Sequence, residues 1–193
     1  RGVGQVRQAG SVGVDHVDLV VRSVVKVEED PAPAGRVGRG ALVERRRVVK
    51  DRVELDVLRR AAVRLSEVAR HLGQVVAAGR SERDVARDID AALDRAGFSE
   101  PAFPTIVASG PNSAHPHARP TDRRLADGDL VVLDFGGVLD GYCVDLTRMA
   151  AVGQVSARAR ALFAAVHEAQ TAAIETVRAG VTGAAVDAAA RRV

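Results

Sequence analysis

The chain has 193 residues, of which 47% are hydrophobic and 27% are charged, an ordinary composition for a soluble globular protein. Its formal net charge is only +3, and acids and bases alternate along it, so we expect a mixed solvated surface and no nucleic acid partner. No apolar run approaches the roughly 20 residues of a membrane span, and no signal peptide is visible. The single cysteine, Cys143, excludes an internal disulfide and predicts a reducing compartment, the cytoplasm.

The first part of the sequence, residues 1–45, has no recognisable motif. A stretch rich in proline and glycine within it indicates a linker. We therefore predict an N-terminal segment and linker over 1–45 and a structured region over 46–193. The sequence begins with Arg1 rather than methionine, from which we expect a fragment or a processed product.

Helix signals become clear after residue 50. Asp51 and Ser81 each lie three residues before an acidic residue, which is the pattern of a capping box at a helix N-terminus. Apolar residues then recur at steps of three and four, and Gly79 and Gly97 are the expected helix ends. A strand, a long polar loop, two more strands and two further helices follow. This order predicts an α+β fold with an antiparallel sheet.

The segment 129–153, DLVVLDFGGVLDGYCVDLTRMAAVG, has the pattern of two apolar strands around a tight turn. Asp140-Gly141 is a strong signal for a two-residue hairpin loop. A loop of that length pairs Leu139 with Tyr142 and fixes the register of every other pair. Both faces of the hairpin are mostly apolar, so we expect the sheet to be covered on both sides.

The predicted register places two aspartates on one face of the hairpin. Asp134 lies opposite Thr147, and Asp145 lies opposite Gly136, which leaves room beside it for lack of a side chain. The backbones of such diagonal neighbours are roughly 7–8 Å apart, and converging carboxylates can hold one metal ion or two. Without a cation, two like charges this close would not both ionise, so an acid–base pair that shares one proton is the alternative. The residues alone leave both interpretations open.

The longer segment TIVASGPNSAHPHARPTDRRLADGDLVVLDFGGVLDGYCVDLTRMAAVG resembles the pita-bread metallopeptidases, which include aminopeptidase P, Xaa-Pro dipeptidase (prolidase), methionine aminopeptidase and creatinase. ASGPNSA, a PH pair, GDLVVLDFG and DGYCVDLTR occur in the order that is typical of the aminopeptidase P and prolidase branch. VVKDRVELDVLRRAA is similar to the helix that opens the catalytic domain. The resemblance covers residues 46–193 and implies a pita-bread fold, a curved antiparallel sheet covered by helices, whose C-terminal part is missing here.

This resemblance implies a metal-dependent peptidase that cleaves the bond before proline in Xaa-Pro peptides, using a hydroxide activated by two divalent metal ions. Asp134 and Asp145 match the first two metal ligands, and their hard oxygens suit manganese, with cobalt or zinc as alternatives. His117 matches a loop histidine that hydrogen-bonds the reacting carbonyl or the tetrahedral intermediate, whereas His115 has no fixed counterpart. Thr147 is placed to hydrogen-bond a ligand carboxylate.

The sequence also departs from the family pattern. The later histidine and the two later glutamates that complete the site have no counterpart before Val193, so we predict that this chain alone is inactive. We expect a peptide substrate as the partner. The resemblance also implies that the protein forms a homodimer. Two alternatives stay open, namely a non-catalytic pita-bread protein-binding module and a creatinase-like amidinohydrolase. The presence of both Asp134 and Asp145 argues against the binding module.

Overall fold

A computed structural model describes residues 47–193, so the predicted segment and linker over 1–45 lie outside the described residues. Within the described part, the three strands form one antiparallel sheet in the order β1-β2-β3, as the α+β class predicts. No helix of this part is long and apolar enough to cross a membrane. In chain order the elements are α1 (Arg52–Arg70), α2 (Glu82–Arg95), β1 (Ile106–Ser109), β2 (Leu130–Leu139), β3 (Tyr142–Ala151), α3 (Ala157–Thr176) and α4 (Gly183–Arg191).

Both predicted capping boxes are present. The Asp51 carboxylate accepts hydrogen bonds from the backbone N–H groups of Val53 and Glu54, and the Glu54 carboxylate accepts one from the Asp51 N–H at 2.7 Å. At α2, Ser81 and Asp84 exchange the same pair of bonds. These side chains satisfy N–H groups that a helix start leaves without intrahelical partners, which is why both helices begin where the sequence predicts.

Of the two predicted helix ends, the one at Gly97 is confirmed and the one at Gly79 is wrong. Gly97 follows the last residues of α2 with a φ of +82°, as expected of a glycine after a helix. The prediction that Gly79 ends α1 is wrong, because α1 ends at Arg70 and a short 3₁₀ turn, Leu72–Gln74, follows. Gly79 instead donates its N–H to the carbonyl of Leu125 at 2.8 Å, a contact with a distant part of the chain.

The hydrophobic core lies between one face of the sheet and the first two helices. Strand residues on that face are almost fully buried, with exposed fractions of 0–3% for Val131, Leu133, Phe135, Val144 and Leu146. They form one cluster with the apolar faces of α1 and α2, to which Ala61, Leu65, Val85, Ile89 and Leu93 belong. The alternation of the strands and the helical periodicity together account for this layer.

The other face of the sheet, which carries both aspartates, is less covered than expected. Most of its strand residues, including both aspartates, are half-buried, whereas Gly136 and Ala151 are buried and Cys143 is exposed. None of the residues of α3 is buried, and a cavity of about 370 Å³ separates this helix from Leu130, Val132 and Met149 on the sheet. Helix α3 therefore lies over part of this face within residues 47–193, and the cavity leaves room there for a ligand.

Candidate metal centre

The hairpin has the predicted register. Leu139 pairs with Tyr142, and the loop residues Asp140 and Gly141 have φ angles of +50° and +80°. Positive φ at both central positions is characteristic of the type I′ turn, whose twist matches that of the flanking strands. The turn chemistry thus sets the register along the whole length of β2 and β3.

This register brings the two predicted ligands onto one face. Asp134 pairs with Thr147, and Asp145 pairs with Gly136, so the aspartates are diagonal neighbours on adjacent strands. Both carboxylates are half-buried, on the face that α1 and α2 do not cover. Carboxylates in this setting are partly shielded from water.

A hydrogen bond orients one of these carboxylates. The Thr147 hydroxyl donates to Oδ1 of Asp134 at 2.6 Å across the strand pair. This bond occupies one oxygen and restricts rotation of the carboxylate. The direction of the second oxygen, Oδ2, is thereby fixed as well. A hydroxyl that holds a carboxylate in this way is the kind of outer partner that orients metal ligands.

The environment of Gly136 differs from the expectation of free room beside Asp145. A Cβ at this position would lie 2.1 Å from the carbonyl oxygen of Val144 and 2.9 Å from the Phe103 ring. The glycine is therefore required because the facing strand and an aromatic ring already occupy the space. Phe103 thereby borders the candidate centre, a neighbour that the sequence analysis did not find.

Backbone pairing beside β2 explains the position of Phe103. The N–H of Ala102 donates to the carbonyl of Gly136 at 3.0 Å, and Val138 donates to the carbonyl of Glu100 at 2.9 Å. The segment before Phe103 therefore runs along the free edge of β2. No sequence pattern marks this segment as a strand, which is why the contact escaped prediction.

The loop between β1 and β2 carries His117. Both His117 and His115 are exposed, and a turn closes around them, with the Ala118 N–H donating to the carbonyl of His115 at 3.2 Å. Among residues 47–193, no group of three or more His, Cys, Asp or Glu side chains is placed to share a metal ion. Within the described part of the chain, no third side chain of these types joins Asp134 and Asp145 in such a group.

A second residue that the sequence analysis missed lies at the base of this loop. Glu82, at the start of α2, is fully buried and accepts hydrogen bonds from Ser109 and Thr121, which lie before and after His117 in the chain. In the sequence it is indistinguishable from the first-turn acid of any well-capped helix.

Comparison with known proteins identifies the class. The profile of metallopeptidase family M24 matches residues 56–193, which is most of the chain. The chain is 42% identical to a probable dipeptidase PepE of Mycobacterium tuberculosis over 153 residues, 79% of this chain and 40% of the relative. It is 33% identical to the Xaa-Pro dipeptidase of Pyrococcus furiosus over 147 residues, 76% of this chain and 42% of the relative.

Solved structures agree with the sequence comparisons. The prolidase of Pyrococcus furiosus superposes with a TM-score of 0.76 at 32% identity, covering 79% of this chain and 45% of that protein. An Xaa-Pro dipeptidase of Bacillus anthracis gives a TM-score of 0.77 at 35% identity, covering 79% of this chain and 43% of that protein. The chain thus belongs to metallopeptidase family M24, and it spans about 40% of the length of these relatives. The predicted family and the pita-bread fold are confirmed.

Proposed function

We propose that this chain provides the first two metal ligands of a peptidase that cleaves Xaa-Pro peptides. The observation that carries the proposal is the hairpin register, which sets Asp134 and Asp145 side by side on an open face. The relatives named as Xaa-Pro dipeptidases support the substrate class, a peptide with proline after the first residue. They also favour a peptidase over a creatinase-like amidinohydrolase.

The donor set fits a divalent metal. Both side chains offer hard oxygen ligands, the Thr147 hydroxyl orients one of them, and two such ligands suit manganese better than a softer ion. Asp134 and Asp145 would contribute ligands to two divalent metal ions, and metal bound there would polarise the scissile carbonyl and activate water. The remaining ligands would have to come from outside residues 47–193, where no third ligand joins the pair.

His117 has a different role in this proposal. Its imidazole is exposed on the loop that joins β1 to β2. A ring N–H of this side chain can donate a hydrogen bond to the reacting carbonyl as negative charge develops there. His117 therefore binds and stabilises the substrate's reacting group, while the aspartates hold metal.

The proposal also includes the cellular location and the oligomeric state of the protein. The single cysteine, Cys143, is free and exposed, which is compatible with a reducing compartment such as the cytoplasm. Homodimerisation stays a prediction.

The test compares two forms of the protein. The first is the 193-residue chain, and the second is a full-length form, in which the chain is extended to the length of its relatives. With manganese added, we expect the full-length form to hydrolyse Ala-Pro and Leu-Pro but not Ala-Ala, and the 193-residue chain to hydrolyse none of them. A full-length form that cleaves no Xaa-Pro peptide under any divalent metal would contradict the proposal and favour a binding module.

The hydrogen bond to Asp134 gives a separate prediction. Replacing Thr147 with valine keeps the shape of the side chain but removes the hydroxyl, so Asp134 loses the bond that orients it. We expect manganese affinity of the full-length form to fall by roughly 10–100-fold, the usual effect of losing an outer partner of a metal ligand. Isothermal titration calorimetry measures it, and Thr147→Ser, which keeps the hydroxyl, is the matched control. Equal affinities for Thr147→Val and the unsubstituted protein would exclude the role.

A further inference from the structure

Glu82 is a fully buried carboxylate that the proposed chemistry does not use. It is the first residue of α2, and its exposed fraction is 0%. Burying a charged carboxylate is costly unless its oxygens are well hydrogen-bonded. Its hydrogen-bond partners therefore show why it is retained inside the protein.

The partners of Glu82 lie before and after His117 along the chain. Oε1 accepts hydrogen bonds from the backbone N–H and the hydroxyl of Ser109, both at 2.7 Å, where β1 ends. Oε2 accepts them from the backbone N–H and the hydroxyl of Thr121, at 3.0 and 2.6 Å. The Asn112 side-chain amide lies 3.1 Å from both oxygens. One carboxylate thus closes the segment 113–120, which contains His117.

These bonds favour the charged form of Glu82. Burial alone raises the pKa of this carboxyl group, but the hydrogen bonds from Thr121 and Ser109 outweigh burial and lower the pKa below its usual value. The carboxylate also lies in the first turn of α2, where the helix dipole favours negative charge. Glu82 is therefore an ionised acceptor with donor groups on both sides of the segment 113–120.

A second set of hydrogen bonds connects the start of the loop to the start of β2. Arg123 donates to the hydroxyl of Ser109 at 2.6 Å and forms two bonds with Asp129, at 2.6 and 2.9 Å. Gly110, the residue after Ser109, has a φ of +51°, and a Cβ at this position would lie 2.6 Å from the Arg123 guanidinium. Asp129 directly precedes β2, the strand that carries Asp134. The loop is thus tied both to α2 and to the start of that strand.

We propose that Glu82 is a positioning residue, which holds the segment 113–120 closed so that His117 is presented to the substrate on the open face of the sheet. This role rests on the function proposed above for His117. Two of its bonds go to Ser109, the last residue of β1, and the others go to Asn112 and Thr121 in the loop. We therefore expect the loop to depend on Glu82 more than the core of the sheet does.

The first test uses the 193-residue chain and does not depend on activity. Replacing Glu82 with glutamine keeps its volume but turns one acceptor oxygen into an NH₂ group, which would face the donors of Ser109 or Thr121. We expect amide hydrogen exchange in residues 113–120 to accelerate at least tenfold, while the buried strand amides of Val131 and Leu133 keep their protection. Acceleration of the loop and the strands by the same factor, or of neither, would overturn the proposal.

Two further variants keep this test decisive. Asp84→Asn is the matched control, because Asp84 lies in the same helical turn but bonds Ser81 and Arg87 rather than the loop. It should leave exchange in residues 113–120 unchanged. Thr121→Val removes one hydroxyl bond and keeps the backbone bond, so it provides a milder lesion if Glu82→Gln does not fold. It should accelerate exchange in the same segment by a smaller factor.

The second test uses the full-length form. Glu82→Gln should lower kcat for Ala-Pro at least tenfold, with the KM and the manganese affinity within about twofold of the unsubstituted values, since neither metal ligand is touched. A loss of activity that only follows a loss of folded protein would overturn the positioning role. If the unsubstituted form cleaves no Xaa-Pro peptide, the proposed function fails, and the exchange experiment still decides whether Glu82 holds the loop.

Discussion

Replacing Asp145 with asparagine in the full-length form is expected to lower kcat/KM for Xaa-Pro hydrolysis by roughly 10³-fold or more. The substitution keeps the size of the side chain but removes the negative charge that binds a divalent metal. Bound metal contributes several kcal/mol of charge stabilisation in the transition state, and each 1.36 kcal/mol is a factor of ten in rate. Asp134→Asn should have a similar effect, because the two aspartates are neighbours on one face.

A control and a second measurement separate the competing explanations. Asp140→Asn is the matched control, since Asp140 lies at the exposed tip of the same hairpin and forms a surface ion pair with Arg60. It should leave kcat/KM within about twofold of the unsubstituted value. Manganese affinity, measured by calorimetry, should fall for Asp134→Asn and Asp145→Asn. Lost activity with unchanged metal affinity would instead support the acid–base pair that shares one proton.

The sequence is most informative where local chemistry determines structure. Asp140-Gly141 supplies the positive φ angles of a two-residue turn, and that turn alone fixes which residues face each other over the whole hairpin. The capping boxes at Asp51 and Ser81 define two helix starts in the same local way. The aspartate pair could therefore be predicted from the sequence without any knowledge of the rest of the fold.

The features that the sequence did not reveal depend on contacts between distant parts of the chain. Gly79 has the appearance of a helix end, but its N–H bonds the carbonyl of Leu125. Glu82 has the appearance of an ordinary first-turn acid, yet it is buried because Ser109 and Thr121 fold over it. Periodicity shows which residues are apolar, but it cannot show which segment of the chain will cover them.

Gly136 is the clearest example of a residue whose role depends on a distant contact. Its substitution is expected to cause a large loss of stability. Adding a single methyl group, as in Gly136→Ala, would place a Cβ 2.1 Å from the Val144 carbonyl oxygen, inside the hairpin. That atom belongs to the backbone, so relief requires β2 and β3 to move apart. Overpacking of this kind costs 1–3 kcal/mol or more, and we expect about 3 kcal/mol of lost stability in the 193-residue chain.

Urea denaturation of the 193-residue chain measures this loss, with Gly183→Ala as the control. A Cβ at Gly183 would meet nothing within 4 Å, so this variant should unfold within about 0.5 kcal/mol of the unsubstituted chain. An unchanged denaturation midpoint for Gly136→Ala would show that the strands approach less closely than the structure indicates.

Gly136 is also the cross-strand partner of Asp145. Displacing that strand moves one carboxylate relative to the other, so Gly136→Ala should weaken manganese binding in the full-length form although it changes no ligand.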